Sequence, residues 1–261
     1  MIHTIHFNEG CEVSFSEEDG AVWIINKPLR WTSFDVVNKL KQEIRRQTGL
    51  KKFKIGHAGT LDPLAEGVLL VCVGKATKRI ECLQSMPKTY TGTFVLGATT
   101  ASYDLEHPVK QVGSIAHLDR MDVETACRAM LGVQQQVPPL FSAVKLDGKS
   151  AFQYARQGEE VALKSKEIEI YDFQLPRVEL PEVDFEIHCS KGTYIRSIAR
   201  DLGNKLGCGA YLKRLCRTAV GDCRISDALP LNNFFVSRQD FQIKKKKRFE
   251  EDFQDSSEGQ E

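Results

Sequence analysis

One aspartate stands out for its setting. Asp62 lies in Gly56-His57-Ala58-Gly59-Thr60-Leu61-Asp62-Pro63-Leu64-Ala65-Glu66-Gly67, a segment punctuated by Gly and Pro. Read alone, Asp before Pro is a helix N-cap with Pro at the first helical position. Its surroundings point to chemistry instead. Glycines on both sides let backbone approach a ligand closely. His57 lies just upstream, although a lone loop histidine has by itself no role to declare. Basic residues flank the segment and would hold the carboxylate ionised, as a nucleophilic carboxylate requires. A second stretch, Cys189-Ser190-Lys191-Gly192-Thr193-Tyr194-Ile195-Arg196, pairs a guanidinium with an aromatic ring. As an ordinary turn it would lead into a helix. As a site it offers an arginine clamp for a carboxylate or phosphate and a platform for a base in Tyr194. Tyr90 read alone is a strand-packing aromatic, and Leu215 a core residue.

These residues need elements to hold them. Ala21–Ile25 reads as a strand ended by Asn26-Lys27-Pro28. Thr32 or Ser33 can cap a helix whose apolar face is Phe34, Val36, Val37, Leu40 and Ile44. The Asp62 segment reads as a compact loop feeding a buried strand at Val68–Val73. Gly74–Lys78 opens a short helix, and Lys88–Leu96 alternates as a strand with Tyr90 and Phe94 on one face. Asp122 can cap a helix reaching Leu131, and Pro138-Pro139 breaks the chain. Ala151–Gln157 and Ile195–Leu206 read as helices, Ile168–Phe173 and Val183–His188 as strands. Interleaved helices with hairpin-like strand pairs favour a mixed α/β or α+β sheet over a purely parallel one.

Composition narrows the function classes. The chain has 261 residues, 41% hydrophobic and 27% charged, as in an ordinary globular protein. Its longest aliphatic run is far shorter than the roughly 20 residues a membrane-spanning helix needs, and no secretory signal is visible. None of the eight cysteines forms a C-x-x-C pair, so reduced, buried thiols in a cytoplasmic protein are expected and a zinc site is not. The net charge of +1 hides an uneven distribution. Residues 27–54 hold nine Lys/Arg against two acids, and residues 190–217 hold seven against one. The first twenty residues carry five acids and no Lys or Arg, and a Lys244–Arg248 run opens an acidic, polar tail expected to be disordered. A basic body between acid-bearing ends suits an RNA partner.

Taken together, four segments resemble the TruB-type tRNA pseudouridine synthases. They are Asn26-Lys27-Pro28 with Thr32-Ser33; the Gly56–Gly67 segment; Pro138-Pro139 with Ser142-Ala143-Val144-Lys145, Gly148 and Ala155-Arg156-Gln157-Gly158; and Cys189–Arg196 with Asp201-Leu202-Gly203 and Leu215. They fall in the family order across roughly residues 20 to 230, and four motifs in order are far more specific than one. The resemblance implies a pseudouridine synthase fold: α+β, with a central, largely antiparallel mixed sheet flanked by helices and loops. It also implies isomerisation of the T-loop uridine at position 55 of tRNA, with Asp62 as nucleophile and no metal or organic cofactor. Arg196 would pair with Asp62, and Tyr90 would stack on the flipped uracil and assist proton transfer at C5. Tyr194 and Leu215 would line the uracil pocket, His57 would fill space vacated by flipped bases, and Lys27 would sit at the substrate. The basic clusters would contact the phosphates of the T-stem-loop. A monomer without an obligate protein partner or membrane contact is expected.

Two features depart from the family pattern. Many members carry a C-terminal PUA domain. Here the catalytic domain is expected over residues 1–233, including the acidic segment 1–20, with only the charged tail 234–261 after it and no full PUA domain. Arg30 also stands where Gly often follows Asn-Lys-Pro. Competing readings are a non-catalytic RNA-binding or RNA-folding protein that uses the same cleft, and a synthase acting on ribosomal RNA within a guide-RNA particle.

Overall fold

An unbroken run of small and branched apolar residues builds the middle of the protein. In the computed structural model, which describes residues 2–6, 12–16, 19–146, 148–159 and 161–231, Val68–Val73 forms a strand buried on both faces. That strand, β3 (Ala65–Val73), belongs to a ten-stranded sheet. The others are β1 (Ala21–Lys27), β2 (Ile55–Ala58), β4 (Lys88–Leu96), β5 (Gly132–Gln136), β6 (Lys166–Glu179), β7 (Glu182–Cys189), β8 (Ala210–Val220), β9 (Cys223–Arg224) and β10 (Leu229–Pro230). The order is β10-β1-β3-β8-β4-β7-β6-β5, with β2 on β3 and β9 on β8. Most neighbours are antiparallel; β3–β8 and β10–β1 are parallel. The architecture is α+β with a mixed, largely antiparallel sheet.

Helices cover the sheet where their apolar faces dictate. Helix α1 (Ser33–Thr48) starts from a capping box made by Thr32 and Asp35 and ends at Gly49 in the left-handed region. It buries Val36, Val37, Leu40 and Ile44 against Trp23, Ile25, Leu69 and Val71. Phe34, expected on that face, is exposed. Short α2 (Ile80–Ser85) follows a 3₁₀ turn at Gly74–Arg79. In α3 (Arg120–Arg128) the cap is Asp119 and not Asp122, which answers it from the third helical position and completes the capping box. Helix α4 (Ala151–Gln157) matches the sequence reading, and α5 (Ile195–Lys205) packs Ile198, Ala199 and Leu202 onto the core around stacked Phe94 and Phe185. Cys72, Cys127, Cys189, Cys208 and Cys223 are buried thiols, whereas Cys82 is exposed.

Two strands differ from expectation. Ile55–Ala58 is a strand rather than part of a loop, because its backbone pairs with the half of β3 that β8 leaves without a partner. β8 is the larger surprise, an eleven-residue strand at the centre of the sheet. Its sequence is rich in Lys and Arg, and register shifts at Leu212/Arg214 and Arg217/Ala219 break its two-residue alternation. β2 and β8 share one edge of β3: β8 pairs at residues 65–67, β2 at residues 70–73. The sheet forks between them. The expected charged tail lies outside the described residues, as do Glu9, Glu17 and Glu18 of the acidic segment.

Candidate active site

No helix follows Asp62. Its carbonyl accepts from the Ala65 N–H, and the chain turns at once into β3, so capping does not explain this Asp-Pro. The short segment carrying Asp62 is instead anchored on both sides. At Leu61, the buried Ser33 hydroxyl donates to the carbonyl and accepts from the N–H, at 3.1 and 2.8 Å. At Pro63, the carbonyl accepts from the Arg30 N–H at 2.7 Å and from Lys27 Nζ at 3.4 Å. At Gly59, the carbonyl accepts from Arg217 Nη2 at 2.9 Å. Asp62 thus projects from a segment whose peptides are fixed before and after it.

The carboxylate meets Arg196, from the first turn of α5. Arg196 Nε donates to Asp62 Oδ2 at 2.8 Å, and its Nη1 donates to the Phe141 and Ser102 carbonyls at 2.9 and 3.3 Å. A second carboxylate, Asp104, faces the same Nε at 3.6 Å. Asp104 is buried and also accepts from the Ser102 hydroxyl and the Glu106 N–H. The guanidinium is 5% exposed and Asp62 39% exposed, so the arginine holds its place from inside while Asp62 keeps an open side. Tyr103, beside Asp104, has φ 59, a conformation costly for a non-glycine residue and held here by the Leu212 N–H on its carbonyl.

Asp62 opens on a cavity of about 740 Å³ whose wall includes Tyr90, Tyr194, Leu215 and Arg217. Tyr90 comes from the face of β4 that alternation predicts. Burial pushes its phenol up. Tyr194 is fixed through its backbone by buried Gln136 of β5, whose amide oxygen accepts from the N–H at 2.8 Å and whose amide nitrogen donates to the carbonyl at 3.2 Å. Burial, and then Asp62, raise its phenol as well. Leu215 is set by pairing with Ala65 on one side and Gly92 on the other. The sequence thus placed five of its seven candidates in one cavity: Asp62, Tyr90, Tyr194, Arg196 and Leu215.

Two candidates stand apart. His57 lies on β2 opposite Val71, off the cavity wall, with burial and then Arg217 holding its imidazole below the usual range. Lys27 is fully buried, and its ammonium donates to the Pro28, Trp31 and Pro63 carbonyls. It supports the Asp62 segment from beneath and presents no surface to a substrate. Burial lowers it to about 8. Sequence reasoning missed Asp104 and Gln136, which have no distinctive neighbours in the chain, and read Ser33 as a motif residue and candidate helix cap without foreseeing its bonds to Leu61. It also missed Arg217, counted only as surface charge although it is 1% exposed.

A carboxylate paired with a guanidinium on an anchored segment, beside aromatic rings and an electropositive wall, suits nucleophilic or electrostatic work on a planar, anionic-backboned substrate. The chain matches the model described as TruB family pseudouridylate synthase (N terminal domain) over residues 45–195. The tRNA pseudouridine synthase B of Phocaeicola vulgatus is 50% identical over 217 residues, covering 83% of this chain and 92% of the relative. That of Flavobacterium johnsoniae is 48% identical over 222 residues, covering 85% and 97%. Among solved structures, a chain of a Cbf5-Nop10-Gar1 complex superposes with a TM-score of 0.61 at 25% identity, over 88% of this chain and 61% of that one. This chain therefore spans about three fifths of that chain's length. With relatives of this similarity over most of its length, the chain belongs to the TruB family of pseudouridylate synthases.

Proposed function

We propose that this protein isomerises the T-loop uridine at position 55 of tRNA to pseudouridine, with the target base flipped into the cavity and Asp62 as the nucleophile. The observation that carries this reading is the open carboxylate of Asp62 held by Arg196 at the mouth of an aromatic-walled cavity. The tRNA named for the curated relatives supports the choice of substrate. Flipping a stacked base costs a few kcal/mol, which stacking on Tyr90 and phosphate contacts to the basic clusters offset. The Asp62 carboxylate bonds to the substrate, the N1–C1′ bond breaks, the uracil turns within the pocket of Tyr90, Tyr194 and Leu215, C5 bonds to C1′, and the bond to Asp62 is given up again. C5 then loses its proton and N1 gains one, so the product is an isomer. No cofactor enters this scheme, and the protein acts as a cytoplasmic monomer.

Tritium release from a T-stem-loop transcript labelled at uridine C5 tests it. Wild type is expected to release tritium, and Asp62→Asn to lose at least about three orders of magnitude in rate. A wild-type protein that binds the transcript and releases none is an RNA-binding protein and overturns the reading.

A further inference from the structure

Arg217 is the largest fully buried side chain described, and it sits in the fork of the sheet. Its backbone pairs with Gly67 of β3 on one side and Tyr90 of β4 on the other. Gly67 has φ 103, and a Cβ there would lie 2.3 Å from the Arg217 carbonyl oxygen, so only glycine lets the strands close on this arginine. The side chain fills the gap where β8 and β2 part. Nε donates to the Val68 carbonyl at 2.7 Å and Nη2 to the Gly59 carbonyl at 2.9 Å.

Among the described residues no carboxylate lies within salt-bridge distance of this guanidinium. A buried cation without a counter-charge is costly, and a purely structural role of joining two carbonyls needs no charge. What the charge does face is the phenol of Tyr90, the register partner of Arg217 on β4. Register partners on adjacent strands share a sheet face, which places Tyr90 and Arg217 side by side on the cavity wall.

We propose that Arg217 is a positioning residue for the isomerisation: it ties the Asp62 segment to Tyr90 and holds positive charge against the Tyr90 hydroxyl, which receives the C5 proton. This rests on the function proposed above. In that step the C5 proton passes to the Tyr90 oxygen as that hydroxyl's own proton is handed on to N1, already released by the sugar, and the C5–H electron pair enters the ring. Other titratable groups facing Tyr90 are Cys189 of β7 and Asp62, which both disfavour a phenolate; Lys88, two residues along β4, is held by the Gln84 and Met86 carbonyls. Burial raises the phenol most, and Arg217 pulls against that rise.

The test needs no RNA in its first arm. Protein carrying 13Cζ-tyrosine is titrated by NMR, with Tyr90 assigned through Tyr90→Phe. In Arg217→Gln, Tyr90 is expected to titrate about one unit or more higher than in wild type. In the second arm, tritium release from the T-stem-loop should fall about tenfold or more while its Kd stays within about threefold, and the alkaline limb of the rate profile should move up with the phenol. Arg217→Lys, whose ammonium cannot reach both the carbonyls and the phenol, should be intermediate in both arms. An unmoved tyrosine titration in folded Arg217→Gln overturns the proposal, as does an unshifted rate profile. Where the glutamine variant is unfolded, Arg217→Lys carries the test alone, and a titration and profile identical to wild type overturn it. Wild type that leaves uridine unchanged refutes the proposed function, whereas the tyrosine titration judges the Arg217–Tyr90 relation by itself.

Discussion

Arg196 Nε lies 2.8 Å from Asp62 Oδ2, between residues 134 positions apart, and 3.6 Å from Asp104 Oδ2. One guanidinium therefore serves an open carboxylate and a buried one. The two differ in what happens when the arginine is removed. Asp62 can turn to water. Asp104 cannot.

Arg196→Met tests that difference. It leaves Asp104 as a buried charge without its cation, which costs about 3–5 kcal/mol. Urea denaturation at neutral pH should show that loss. Pairing the change with Asp104→Leu should recover much of it, because two apolar groups leave no stranded charge. Equal stability of Arg196→Met and wild type would show that Asp104 finds another partner.

Lys27 gives a signature in pH. The folded protein holds it at about 8, against 10.5 for an ordinary lysine. Between those values the unfolded chain binds one more proton, so folding stability rises with pH across this window. Below about 8 both states are protonated and the contribution is flat. Lys27→Met should therefore have a slope of stability against pH, between pH 8 and 10, that is smaller than wild type by about one proton. Denaturant titrations at several pH values supply both slopes.

Arg30 adopts φ 67 with an exposed side chain. A residue with a Cβ pays about 1–2 kcal/mol for that conformation, partly offset by the greater freedom glycine loses on folding. Arg30→Gly is expected to raise stability by about 0.5–1 kcal/mol, read as a higher Tm. A lower Tm would mean that the exposed guanidinium contributes something its position does not reveal.

Lys51 and Lys52 are exposed in the loop between α1 and β2. Changing both to Glu should weaken T-stem-loop binding and flatten the dependence of log K on log salt, by about one unit of slope for each phosphate no longer neutralised. An unchanged slope would take them out of the RNA interface.

Local chemistry made much of this site legible. Alternation put Tyr90 and Phe94 on one face of β4, and capping and periodicity marked α1. Arg30 reads as an unusual residue in a turn, and its positive φ is the physical counterpart. What escaped was set by distant partners. β8 is stabilised by pairing on both edges rather than by apolar alternation, and its register shifts erase the two-residue rhythm. Arg217 reads as surface charge because nothing in the nearby sequence marks a basic side chain as buried. Asp104 and Gln136 act through partners dozens of residues away. Lys27, expected at the substrate, has its ammonium turned inward to carbonyls.

The anchoring of residues 59, 61 and 63 around Asp62 bears on how RNAs are told apart. A carboxylate fixed in this way cannot follow a reluctant uridine. On the function proposed here, the geometric adjustment falls to the nucleic acid. Uridines in stiff duplexes would be passed over because their own stacks resist opening, even where they reach the cavity mouth. Selectivity would then be written largely in the pliability of the RNA.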